Sequence, residues 1–200
     1  MKKVILVTLS IALFCACNET KKSDGEAHAA MIQASIEGDL GKDAAGKEIG
    51  VQISKKGEKI ALYGGDMAAV SLWETYVKAH NERDLETIAA LNAEKDFMVY
   101  GPTGEVIKGT QAHIAFLTTW FKEANPTWTT KFLITNMYTD KEGKVQQWIT
   151  SGHDVTLTVE GKEVKVNQVH DALIVDGKIK EFSVNERVLA PEQEEVKAKE

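Results

Sequence analysis

The apolar positions of this chain change period part-way along it. From Asp66 they recur at helical spacing. Val70, Trp73, Val77 and His80 fall on one stripe with Tyr76 beside them, which predicts an amphipathic helix with Asp66 as its N-cap. Asp84 caps a second, short helix over Leu85 to Leu91. A strand over Phe97 to Tyr100 ends at Gly101-Pro102-Thr103-Gly104, and another follows over Glu105 to Lys108. Thr110 is the expected cap of a third helix, on which Ile114, Leu117, Trp120 and Phe121 share a face until Pro126 stops it.

Beyond Pro126 the period falls to two. Strands are predicted over Thr127 to Thr139, Lys144 to Val159, Glu163 to Val175 and Ile179 to Val188. Turn signals separate them at Asp140-Lys141-Glu142-Gly143, Glu160-Gly161-Lys162 and Asp176-Gly177-Lys178. Connections this short join antiparallel neighbours. Helices first and strands last is an α+β layout, a curved antiparallel sheet wrapped around N-terminal helices. Such a sheet leaves a cone-shaped pocket, the default ligand site.

Upstream, residues 28–65 read as an N-terminal extension ahead of the main domain at 66–190. Ala29, Ile32 and Ile36 keep helical spacing before Gly38. Ile49, Val51 and Ile53 then alternate, and Lys59 to Tyr63 follows a Lys56-Gly57 turn. A short helix and a hairpin are expected. Residues 191–200 form a charged tail.

The first residues read as an address. Lys2 and Lys3 precede an apolar run of 13 residues, Val4 to Ala16, whereas a spanning helix needs about 20. A basic start, a short apolar stretch and a small residue before a break make a secretory signal. Leu13-Phe14-Cys15-Ala16-Cys17 resembles a bacterial lipoprotein signal, with cleavage after Ala16 and lipid on Cys17. The alternative is an ordinary cleaved signal peptide. Residues 17–27 then form the lipidated cysteine and a polar tether. The expected location is the bacterial cell envelope, periplasmic or at the outer-membrane surface, with the membrane engaged through the lipid.

Composition narrows the function. The 200 residues are 43% hydrophobic and 27% charged, as in one globular domain. The net charge is -6 and becomes -8 without Lys2 and Lys3, so no basic field draws in nucleic acid. Cys17 would be the one cysteine left, which excludes an intrachain disulfide, a cysteine nucleophile and cysteine-ligated zinc. The five histidines show no metal spacing, and there is no phosphate-binding glycine loop or nucleophile elbow. No metal and no cofactor are expected.

The element order resembles the nuclear transport factor 2-like superfamily, and within it the SnoaL-like and ketosteroid isomerase-like proteins. The cues are Tyr76-Val77, Asp84-Leu85-Glu86 with Ile88 and Leu91, Phe97 through Pro102, Gly109, and Asp176-Gly177-Lys178-Ile179. The resemblance covers about Asp66 to Val188 and implies a cone with a deep pocket, often in a homodimer. It places Tyr76 where the isomerases hold an oxyanion donor, or leaves it a core tyrosine. It places His170 where family enzymes hold an acidic residue on the strand before the last hairpin, as an acid/base group or as a pocket histidine bonded to backbone. The isomerases' catalytic base would fall at Gly101, so that base is missing.

Alternation adds further expectations. His153 shares a face with Ile149, Val155 and Leu157 and looks inward, as a third catalytic candidate or a satisfied core histidine, unless a bulge at Gly152 inverts the face. Asp154 and Trp148 then look outward, as does Asp171 on the next strand. His80 suits the C-terminus of its helix as a cation, and His113 is structural or exposed. Trp73, Val77, Tyr100, Trp120, Phe182 and Val184 are expected to line a pocket for a small apolar or aromatic molecule. Three functions remain open: a ligand-binding lipoprotein without chemistry, a proton-transfer enzyme using His170 and Tyr76, or a dimeric interaction module acting through the open face of the sheet.

Overall fold

The computed structural model describes residues 46–189. Cys17, the tether, the helix expected before Gly38 and the charged tail lie outside the described residues. The elements run β1 (Glu48–Ile53), β2 (Lys59–Gly64), α1 (Met67–Glu82), α2 (Leu85–Leu91), β3 (Met98–Tyr100), β4 (Val106–Lys108), α3 (Thr110–Ala124), β5 (Thr127–Thr139), β6 (Val145–Val159), β7 (Lys162–Val175) and β8 (Lys178–Val188). All eight strands form one curved sheet in the order β1-β2-β5-β6-β7-β8-β3-β4. Every pairing is antiparallel except β3 with β8, where Val99 lies opposite Phe182. The sheet is therefore mixed rather than purely antiparallel.

Local chemistry sets the element ends. Asp66 Oδ1 accepts the Ala68 N–H at 2.8 Å, and Asp84 accepts from both the backbone and the hydroxyl of Thr87. These carboxylates satisfy donors that a helix N-terminus leaves open. Thr110 is not a cap. Gly109 holds that position at φ 85, and Thr110 is the first helical residue. A φ of that sign is what glycine supplies at little cost. Glu160-Gly161 and Asp176-Gly177 take positive φ at both positions, the two-residue hairpin geometry whose twist matches the flanking strands.

The hairpin read within residues 28–65 is present. It joins the sheet, because Tyr63 and Gly64 of β2 pair with Met137 and Asn136 of β5. The bulge lies at Lys131 on β5 rather than at Gly152, so β6 keeps its alternation. Inward faces of β6, β7 and β8 meet α1 in a core holding Leu72, Trp73, Tyr76, Ile88, Ile149 and Phe182. Among the described residues no helix is long and apolar enough to cross a membrane.

Candidate functional site

Between the helices and the inner face of the sheet lies a cavity of about 260 Å³. That is a little below the ~300–1,000 Å³ typical of drug-sized ligand sites, so a compound of one or two rings suits it. Trp73, Val77, Trp120, Phe182 and Val184 border it as the sequence pattern predicts. Tyr100 does not. It is 37% exposed, and the strand's alternation instead sends Val99 to the cavity. The lining contains no lysine or arginine; its ionisable groups are Tyr76, three histidines and the carboxylates of Glu105 and Glu186.

Tyr76 borders the cavity, but its hydroxyl donates to Asn92 Oδ1 at 2.8 Å. Burial pushes the phenol well above its ordinary pKa, against the smaller pull of that bond. Asn92 in turn reaches His113 Nδ1 at 3.3 Å. Of the two readings of His113, structural or exposed, the exposed one fails: it is 2% exposed and lines the cavity, with burial lowering its pKa to about 3.

His80 is not a cation at its helix end. Burial lowers its pKa to about 4. Its Nδ1 lies 2.8 Å from Tyr76 O, which only accepts, so Nδ1 carries the proton and Nε2 is bare. His153 looks inward, but it lies beneath the cavity wall rather than on it. Its ring nitrogens meet Ser151 Oγ at 2.9 Å and Thr130 Oγ1 at 3.2 Å, and burial lowers its pKa to about 4.

His170 does border the cavity, its ring centroid 4.9 Å from that of His153 and 6.1 Å from that of Phe182. Burial holds its pKa well below the ordinary value, with the neighbouring charges of His153 and His80 adding to the effect. Its Nε2 contacts Gln168 Oε1 at 3.0 Å, the same oxygen that accepts Trp128 Nε1–H at 3.0 Å. Gln168 Nε2 donates to Glu186 Oε2 at 2.8 Å. A buried imidazole thus stands at the end of a hydrogen-bonded arm that reaches the cavity rim.

At Gly101 the Glu105 side chain occupies the space a Cβ would take. A Cβ on Gly101 would meet the Glu105 carboxyl carbon and its Oε1. That carboxyl accepts from Thr103 Oγ1 at 2.7 Å and Thr103 N at 3.0 Å, and the hydroxyl chiefly holds its pKa below the carboxylate range. A carboxylate therefore stands at this corner of the cavity, supplied from four residues further along the chain.

On the outer face, Trp148 borders a shallow groove with Val51, Leu62 and Asn136. Asp171 shares that groove and accepts Thr150 Oγ1 at 2.7 Å. Asp154 also faces out, 3.1 Å from Lys131 Nζ. No group of three or more potential metal ligands occurs among the described residues.

A family model for the SnoaL-like domain matches residues 73–182, more than half of the chain. The chain belongs to the SnoaL-like family. Solved structures of low sequence identity are similar to this SnoaL-like chain. A candidate ketosteroid isomerase from Kribbella flavida is 22% identical, with 62% of this chain and 79% of that one covered at a TM-score of 0.48. An LEH-like epoxide hydrolase from M. tuberculosis is 14% identical, with 60% and 82% covered at a TM-score of 0.48. An NTF2-like protein from Burkholderia pseudomallei is 18% identical, with 58% and 88% covered at a TM-score of 0.46. No curated protein matches the chain by sequence.

Proposed function

We propose that this chain is an envelope lipoprotein whose SnoaL-like domain binds a small, mostly apolar ligand inside the cone. The observation that carries this reading is the cavity itself: about 260 Å³, walled by Trp73, Trp120, Trp128 and Phe182, with its charged groups confined to carboxylates. Aromatic walls supply large contact area at small conformational cost. The anchor rests on the Lys2-Lys3 start and the Ala16-Cys17 break.

Native mass spectrometry of the gently purified chain tests the reading by reporting any retained small molecule. Val184→Trp, which fills the cavity, is expected to abolish retention without lowering the melting temperature. Retention unchanged by that substitution places the molecule elsewhere and sinks the reading. Labelling of cells with a fatty-acid analogue tests the anchor. Label is expected on the native chain and lost from Cys17→Ser.

A second reading, proton transfer on a small carbonyl compound, is favoured by the placement of His170 and Glu105 on one cavity. Under it, His170→Ala removes turnover while ligand retention survives. A third, pairing of two copies across the outer face, is favoured by the exposed Phe132 and Ile134 near Trp148. Ile134→Glu is then expected to convert a dimer to a monomer in light scattering.

A further inference from the structure

Gln168 sits between three partners whose hydrogen-bonding roles are limited. Trp128 Nε1 only donates, and it lies 3.0 Å from Gln168 Oε1. The Glu186 carboxylate only accepts, and it lies 2.8 Å from Gln168 Nε2. The two together fix which end of the amide is oxygen. His170 Nε2, 3.0 Å from that oxygen, must therefore be the protonated nitrogen. The other nitrogen, Nδ1, is then a bare lone pair, and no group among the described residues bonds it.

Its surroundings decide what it does. Trp73 Nε1 is the one buried side-chain nitrogen or oxygen among the described residues without a partner. His170 Nδ1, also unpartnered, thus reaches open space, and the cavity is the open space that its ring borders. The same argument applies to His80 Nε2, bare because Nδ1–H is given to Tyr76 O. The cavity therefore offers lone pairs from His170 and His80, an N–H from His113, whose Nδ1 accepts from Asn92 Nδ2, no cation, and carboxylates at Glu105 and Glu186. An anionic ligand finds no counter-charge there. An aromatic ring bearing an N–H or O–H finds an acceptor.

We infer that Gln168 and Glu186 are specificity-determining residues: they hold His170 with Nδ1 facing the cavity as an acceptor, so the site selects uncharged aromatic ligands that carry a hydrogen-bond donor. This rests on the reading of the cavity as a ligand site and names the class of ligand. Gln168 and Glu186 act through His170 and are positioning residues.

Indole and benzofuran make the test, because they share size and shape and differ by an N–H in place of a ring oxygen. Calorimetry on the full chain is expected to show indole binding about tenfold more tightly, the worth of one good hydrogen bond at a buried acceptor. Indole-2-carboxylate is expected to bind more weakly than indole. Gln168→Leu should bring the indole and benzofuran affinities together, since His170 Nε2–H loses the acceptor that fixes its tautomer. Nitrogen NMR of the wild-type imidazoles needs no variant: His170 should show Nε2 protonated and Nδ1 bare. A proton on Nδ1, or benzofuran equal to indole in the wild type, overturns the inference and leaves the ligand site standing. Binding of neither compound overturns the ligand-site reading instead.

Discussion

The Tyr76 hydroxyl donates its one proton to Asn92 Oδ1 at 2.8 Å, with both side chains buried. This bond ties α1 to the end of α2 and commits the donor that an oxyanion would need. Tyr76→Phe is therefore expected to cost stability more than function. It strands a buried amide oxygen, at about 1–3 kcal/mol. Urea unfolding should show that loss while ligand retention persists. A variant of native stability that no longer holds its ligand would show instead that the hydroxyl serves the cavity.

Four buried histidines make acid the weak side of this fold. His113, His80 and His153 have folded values of about 3, 4 and 4, and His170 is also held well below the ordinary value. In the unfolded chain each titrates near 6.5. Between pH 6.5 and about 4 the unfolded state binds more protons, so stability falls as pH falls. Each group contributes up to about 1.4 kcal/mol per pH unit in that window. The urea midpoint should be flat above pH 7 and drop steeply from pH 6.5 to 5, before most carboxylates titrate. A midpoint unchanged at pH 5 would mean that the rings accept protons in place.

Arg83 locks two helix ends together. It ends α1 at φ 64, its guanidinium donates to His80 O at 2.7 Å, Asn125 Oδ1 at 3.0 Å and Pro126 O at 2.6 Å, and it stacks 4.6 Å over Phe121. Arg83→Ala should lose about 2 kcal/mol or more from these charge-assisted bonds. Arg83→Lys should recover little, because one ammonium cannot span the same acceptors as a planar fork. Thermal unfolding of the pair checks this. Full rescue by lysine would reduce the residue to its charge.

Gly65 is needed for space. Its N–H donates to Thr135 O at 3.1 Å, and an added Cβ would lie 2.8 Å from Asn136 N and meet the side chains of Gln147 and Thr135. Gly65→Ala should destabilise by about 1–3 kcal/mol through overpacking. Gly50→Ala, where a Cβ meets nothing, serves as the control. Equal melting temperatures for the two variants would show that β2 shifts freely against β5.

The caps and turns were legible because their chemistry is local: Asp66, Asp84 and the Asp176-Gly177 pair each mark an end by themselves. The cone was legible through the order of those elements. The place of His170 came from the family resemblance, while the inward place of His153 followed from strand alternation, which the bulge on β5 left undisturbed. Tyr100 faces away from the cavity because in the short alternation of β3 Val99 is the inward position. Gln168 and Glu186 lie two residues from His170 and Val184, on the same inward faces, so alternation alone could have found them. Glu105 could not be found that way. Its carboxyl reaches the cavity by folding back over Gly101, a contact that no periodicity encodes. The charge state of His80 depended on burial, which its helix position alone does not give.

The strand order also dictates a timetable. β3 and β4 emerge from the ribosome early, yet the sheet receives them only through β8, the last strand among the described residues, where Val99 meets Phe182. β2 likewise waits for β5. Both early hairpins therefore lack their sheet partners until the second half of the chain arrives, and a lone hairpin is marginal in water. Non-local pairing of this kind slows folding and leaves strand edges open meanwhile. A nascent chain stopped before β8 lacks the Phe182, Val184 and Glu186 wall of the cavity, so a ligand held there would stabilise only the finished molecule.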